Sequence, residues 1–359
     1  MEPSFSSGFV ALDYLQGRSS YYKRFTDQEV GTLLDRNDKG EVVASLDYIV
    51  RDFFLNEIDG PIKFVLITNM KSDETREAYL SWSDRLLSEV MRIKEKSGAS
   101  YVLFLLSRRM QESFGHLIRP RRKKRDQLRF NHLRSMNIEM IQGRRFFADS
   151  PLEHVKVRRA NEGDAHAISG YIKRATQTMA IKRLTGENVL KKEMTSLGHP
   201  DFSNLALAES YDNKIVGVLG VFDPQQFIKA SLDLDEVKDS IFFVTQSFLK
   251  IGSYFKKDLR PVFDNKPIDF KFFTHIYCNN KDIFYSLISW WLNETYSTKP
   301  VFLYPHYKGE LKTSPPDSVF SSDFPADLYL MQDPDDPPSG LLKPNFFTPH
   351  IDIDLPLLF

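Results

Sequence analysis

The stretch GPIKFVLITNMK, residues 60–71, continues through KSDETREAYL, residues 71–80, into SWSDRLLSEVMRIKEKSG, residues 81–98, and its reading decides the fold. The first part is an apolar, β-branched run with Pro61 at its start, which predicts a strand. The last part carries apolar residues at helical spacing and closes on Gly98, which predicts an amphipathic helix. A strand that passes through a loop into a helix is a usual holder of phosphate, because unpaired N–H groups and the helix dipole point at the same anion. Here the joining loop contains no glycine.

Upstream, residues 17–30 read as a helical or irregular entry. Residues 30–56 read as a hairpin that turns at Asn37-Asp38-Lys39-Gly40. Downstream, ASYVLFLLS, residues 99–107, is a continuous apolar run that suits a strand buried on both faces. The segment RPRRKKRDQLR, residues 119–129, places seven basic residues in eleven positions. A helix is expected to continue from it through FNHLRSM, residues 130–136, with a strand over residues 138–147.

After Pro151 the pattern begins again. VKVRRA, residues 155–160, predicts an edge strand, and residues 160–175 a helix opened by capping residues. Residues 203–223 form a second hairpin, turning at Asp212-Asn213-Lys214. A helical insertion over about 234–257 precedes the strand FKFFTHIYC, residues 270–278. The helix of residues 279–297 and the strand KPVFLYPHY, residues 299–307, follow. Eleven of the 19 prolines fall between Pro300 and Pro356, so the end of the chain reads as extended, with a strand at DLYLMQD, residues 327–333, and a tail pair around residues 350–357.

The chain has 359 residues, enough for two domains and a sizeable core. Its 48 basic and 48 acidic residues cancel, which removes a global electrostatic case for nucleic acid or an anionic membrane. The single cysteine, Cys278, excludes an internal disulfide and a cysteine-built zinc site. No histidines pair at helical spacing, so no metal site is expected. Without an apolar leader or a run of about 20 apolar residues, a soluble cytoplasmic protein is expected.

This order, a hairpin, a strand, a helix and a strand in two successive copies, resembles that of the GNAT acyltransferases. VKVRRANEGDAHAI, residues 155–168, is similar to the family's opening strand and helix, and residues 205–223 to its second and third strands. In the first half, GEVVASLDYIV, KFVLITNM and residues 84–104 resemble the third strand, the fourth strand, and the third helix with the fifth strand. The likeness covers most of residues 30–333. It implies an α/β (α+β) chain of two GNAT-like domains, residues 1–150 and 151–359, each a mixed, mostly antiparallel sheet flanked by helices. It also implies transfer of an acyl group from acetyl-CoA or another acyl-CoA to a small-molecule or peptide amine.

The family's phosphate loop, Gln/Arg-x-x-Gly-x-Gly/Ala, has its glycines at Ser81 and Ser83 when anchored on Leu86-Leu87, and its basic position at Ala78. The resemblance therefore places the cofactor at Thr68 and Met70, on the edge of the fourth strand, and at Ser81 and Ser83. Pantetheine adds to that edge by backbone hydrogen bonds that are indifferent to side chains. Ser81 and Ser83 read somewhat more readily as helix caps, since serine is a preferred cap. In the second half, Cys278-Asn279-Asn280-Lys281 leaves no room for the loop. The family's frequent general-acid tyrosine would fall near Leu133, so no catalytic residue is assigned.

Two other functions stay open. The fold can bind a ligand without turnover, and residues 119–129 can contact phosphates, although such runs are more often solvated and this one lacks interleaved aromatics. Phe284, Tyr285, Trp290 and Trp291 read as core packing rather than an acyl pocket. Cys278 reads as a small core residue rather than a nucleophile.

Overall fold

The computed structural model describes residues 6–7, 10–14, 18–26, 28–55, 60–72, 85–107, 118, 128–147, 152–232, 240–262, 267–333 and 352–353. In chain order the elements begin with β1 (Ser6–Ser7), β2 (Val10–Tyr14), α1 (Arg18–Tyr22), β3 (Val30–Arg36), β4 (Val42–Leu55) and β5 (Pro61–Ser72). Next are α2 (Leu87–Ser97), β6 (Tyr101–Ser107), β7 (Arg129–Arg144), β8 (Lys156–Arg159), α3 (Ala165–Ala175), β9 (Ile181–Arg183) and α4 (Glu187–Ser196). They end with β10 (Leu205–Glu209), β11 (Ile215–Phe222), β12 (Ile228–Leu232), α5 (Ser240–Gly252), β13 (Pro267–Ile268), β14 (Phe270–Cys278), α6 (Lys281–Glu294), β15 (Val301–Tyr307) and β16 (Val319–Gln332).

The chain divides into two compact units. One, here the β5 unit, comprises Gln16–Met136, Thr178–Leu184 and Pro325–Phe359. The other, the β14 unit, comprises Met1–Leu15, Asn137–Gln177 and Thr185–Phe324. This differs from a single cut at residue 150, because β7 begins in the β5 unit and ends in the β14 unit, and β16 does the reverse.

In the β5 unit the strands are ordered β3, β4, β5, β6, β16, with β9 also on β4. β5 and β6 are parallel, from Phe64 opposite Tyr101 to Ile67 opposite Phe104. The other registers in this unit are antiparallel, so the sheet is mixed. Helix α2 lays Leu87, Val90 and Ile93 onto Leu46, Val65, Ile67, Val102 and Phe104, and burying each such side chain stabilises by roughly 1.5–3 kcal/mol. It ends where Gly98 takes the left-handed conformation, φ 68°, that a closing residue needs. Of the tail pair expected around residues 350–357 only Asp352 and Ile353 are described, with Asp352 3.0 Å from the guanidinium of Arg183.

In the β14 unit β15, β14, β11, β10 and β8 are neighbours in that order. β14 and β15 are parallel, and the hairpin β10–β11 is antiparallel with β8 on its edge. Helix α6 buries Ile283, Phe284, Leu287, Ile288 and Trp291 on this sheet. Gly217 permits the approach, since a Cβ there would stand 2.7 Å from Ile283 Cγ2. A small second sheet joins β1, β2, β12 and β13.

The helix expected over residues 130–136 is a correction. Those residues belong to β7, one 16-residue strand. Leu133, Arg134, Met136 and residues 138–143 are buried, and strand neighbours on both sides outweigh local helix propensity. Among the described residues no helix is long and apolar enough to cross a membrane.

Candidate functional site

The decisive local feature is a bulge in β5. Ser45 pairs with Lys71 and Asp47 with Thr68, so two steps along β4 match three along β5. Asn69 sits in the extra position with φ 50°, a left-handed conformation that asparagine tolerates better than most residues. Its Nδ2 donates to Asp47 Oδ2 at 2.7 Å. The Tyr22 hydroxyl donates to the same oxygen at 3.3 Å, and Thr32 Oγ1 to Asp47 Oδ1 at 2.6 Å. Asp47 is fully buried, and these donors compensate a carboxylate that would otherwise be costly there.

The parallel pairing of β5 with β6 stops at Ile67 opposite Phe104, although β5 runs on to Ser72 and β6 to Ser107. The two strands diverge at the bulge. There, Thr68 Oγ1, Asn69 Oδ1 and Ser45 Oγ are buried with no hydrogen-bond partner among the described residues. Buried polar atoms left so cost about 1–3 kcal/mol each, and a ligand at the divergence is one way they are satisfied.

Helix α2 starts near the same end of the sheet. Leu86 at its cap position provides no side-chain hydrogen bond. Just before it, Arg85 Nη1 lies 3.3 Å from Asp35 Oδ1, with the guanidinium largely exposed. Asp35 pairs with Ala44, and Ala44 with Ser72, which puts this ion pair in the row where β5 ends.

Of the residues expected to hold the cofactor, Thr68 is at the divergence. Met70 points into the core shared with Leu86, Leu87 and Val90. Ser81 and Ser83 lie outside the described residues, as do 119–127 of the basic run. No spacing rule in the sequence points to Asp47, Asn69 or Arg85. The available signal was the polar pair Thr68-Asn69 inside an apolar strand.

The β14 unit repeats the geometry and closes it. Val218 pairs with Tyr277 and Gly220 with Thr274, which again leaves one extra residue, and His275 has φ 49°. Parallel pairing with β15 stops at Phe272 opposite Leu303. Here the polar atoms are engaged, with His275 Nδ1 3.2 Å from Thr274 Oγ1 and His275 Nε2 3.4 Å from Glu193 Oε2. The start of α6 is capped by its own chain, because Asn280 Oδ1 accepts from the Ile283 N–H at 2.9 Å.

The loop after β15 binds both diverging strands. Cys278 Sγ donates to the Lys312 carbonyl at 3.3 Å, Tyr304 Oη donates to the Thr313 carbonyl at 3.1 Å, and His306 Nε2 is 2.9 Å from the Glu310 carbonyl oxygen. Burial, reinforced by Glu310, pushes the Cys278 thiol up to about 12, which leaves no thiolate for nucleophilic attack. Phe284, Tyr285 and Trp291 are core residues, and Trp290 lies under the Arg159 guanidinium at 5.6 Å. No group of three or more His, Cys, Asp or Glu among the described residues could hold a metal.

Comparison with known proteins supplies a fold. A GCN5-related N-acetyltransferase from Sphaerobacter thermophilus superposes with a TM-score of 0.51 at 11% identity, over 84% of this chain and 80% of that one. The chain has the GNAT fold. An N-myristoyltransferase from Saccharomyces cerevisiae with bound myristoyl-CoA matches 99% of this chain and 77% of that one, at 10% identity and a TM-score of 0.48. A probable N-acyltransferase from Enterococcus faecalis matches at 8% identity and a TM-score of 0.40, over 89% of this chain and 72% of that one. No family model and no curated protein sequence matches this chain.

Proposed function

We propose that the protein is an acyl-CoA-dependent N-acyltransferase built from two GNAT-like halves, with its acyl-CoA in the β5 unit. The observation that carries this reading is the divergence of β5 from β6 at Asn69, where Thr68 Oγ1, Asn69 Oδ1 and Ser45 Oγ lack partners among the described residues. The pantetheine arm lies along β5 beyond Ile67 and takes the backbone groups that β6 no longer meets. The diphosphate lies toward the start of α2, where Arg85 supplies positive charge and which Ser81 and Ser83 precede in sequence. Those two serines replace the glycines of the family's loop, so binding depends more on the strand edge.

The chemistry asked of the chain is limited. A thioester carbonyl held against the β5 edge places its developing oxyanion near backbone N–H groups, and an acceptor amine must arrive unprotonated. Asp47, fixed by Asn69, Tyr22 and Thr32, keeps the bulge in the shape that this geometry requires. The acceptor is a small-molecule or peptide amine.

The β14 unit serves as a structural half, supported by its paired bulge residues, its capped α6 and its occupied divergence. Calorimetric titration with acetyl-CoA and a long-chain acyl-CoA tests the proposal. Turnover with a panel of amines then separates an enzyme from a binding protein.

A further inference from the structure

We infer that the exposed apolar face of α5 and the adjoining turn dock on an anionic membrane surface. Phe242, Gln246 and Leu249 turn one face of α5 inward. The opposite face carries Val244, Phe248 and Ile251, and the following turn adds Tyr254 and Phe255, all exposed. A helix apolar on both faces is expected to be buried on both.

The patch extends beyond the helix. The Phe146 ring is 6.3 Å from that of Phe248, and a Cβ at Gly252 would stand 3.3 Å from Phe146 Cζ, so the turn after β7 lies against α5. Phe147 at its tip is 99% exposed, with Phe255 at 83% and Tyr254 at 81%. Phe147, Tyr254 and Phe255 stand clear of the surface. A rigid partner would need a separate pocket for each, whereas the headgroup and acyl boundary of a bilayer accepts them together.

The charges at the rim match that partner. Arg145, Lys250 and Lys257 are exposed, and Lys256 Nζ lies 5.8 Å from the Phe146 ring centroid. The neighbouring carboxylate of Asp258 is held by Arg144 at 2.9 Å. Long basic side chains beside aromatics can reach headgroups while their stems cover apolar surface. This surface is independent of the acyl-CoA reading and implies no membrane span.

Co-sedimentation with vesicles tests the inference, using phosphatidylcholine alone and phosphatidylcholine with phosphatidylglycerol at about 3:1. The wild-type chain is expected to bind the mixed vesicles, less so as salt rises, and to leave pure phosphatidylcholine mostly unbound. Phe147→Ser with Phe255→Ser should weaken binding at least about tenfold. Lys250→Glu with Lys257→Glu should do the same through charge alone. Leu311→Ser, at an exposed apolar site outside this patch, should bind as wild type. Circular dichroism checks that each variant is folded, and the charge variant keeps the test decisive if the aromatic one is not. No binding to mixed vesicles would overturn the inference. So would unchanged binding by folded variants, or a wild-type dimer that the aromatic variant converts to monomer.

Discussion

Asn69 Nδ2 donates to Asp47 Oδ2 at 2.7 Å across the β4–β5 register, and Asn69 itself is the extra residue of the bulge. A buried carboxylate thus fixes a backbone irregularity at the point where two parallel strands part. In the β14 unit the equivalent position belongs to His275, which has nearly the same φ but turns its ring toward Glu193.

Replacing Asn69 by Ala removes a donor from a buried carboxylate and puts an ordinary Cβ in the left-handed region. Asn69→Ala should cost about 3 kcal/mol of stability, measured by denaturant unfolding. It should also weaken acyl-CoA binding under conditions where the variant remains folded. Unchanged stability would show that Asp47 does not depend on this contact.

Thr68→Val should separate stability from binding. The hydroxyl has no partner among the described residues, so its removal should leave stability within about 1 kcal/mol of wild type or raise it. Acyl-CoA affinity should fall at least about fivefold, the loss of one hydrogen bond. A destabilised Thr68→Val would show that the hydroxyl is satisfied within the chain.

Several parts of this arrangement were legible in the sequence. The apolar run ending at Lys71, the Asn37–Gly40 turn, the helix closing on Gly98 and the small-residue strand of residues 215–222 all follow local rules, and all are present. β7 misled because its polar residues do not alternate cleanly, and strand neighbours distant in sequence decide its conformation. The bulge at Asn69 was hidden for a similar reason. It depends on register with β4 and on Tyr22 and Thr32, whose convergence on Asp47 no spacing rule announces. The repeated polar pair, Thr68-Asn69 and Thr274-His275, was the available sign.

His306 should give the β14 unit a pH dependence. Burial lowers its pKa, but Glu139 and the Glu310 carbonyl outweigh burial and leave it raised. A raised folded-state pKa contributes stability that is fully present below the unfolded value of about 6.5 and is lost as pH rises through the folded value. Stability should therefore decline above about pH 6.5 by an increment that is absent in His306→Gln. Parallel wild-type and variant curves from pH 5.5 to 8.5 would exclude this contribution.

Cys278 should be inert in the native protein. With its thiol pushed up to about 12, an aromatic disulfide reagent at pH 8 should label it only on unfolding. Rapid native labelling would mean that the contact with Lys312 opens readily, and that the second divergence is accessible.

Calorimetric titration of the intact chain with a long-chain acyl-CoA, beside Thr68→Val and Ser81→Trp with Ser83→Trp, tests the placement of the cofactor most directly. One acyl-CoA per chain, weakened in Thr68→Val and abolished in the tryptophan variant, is the expected result. Two equivalents per chain, binding untouched by either variant, or no heat and no thermal shift with any acyl-CoA would contradict it.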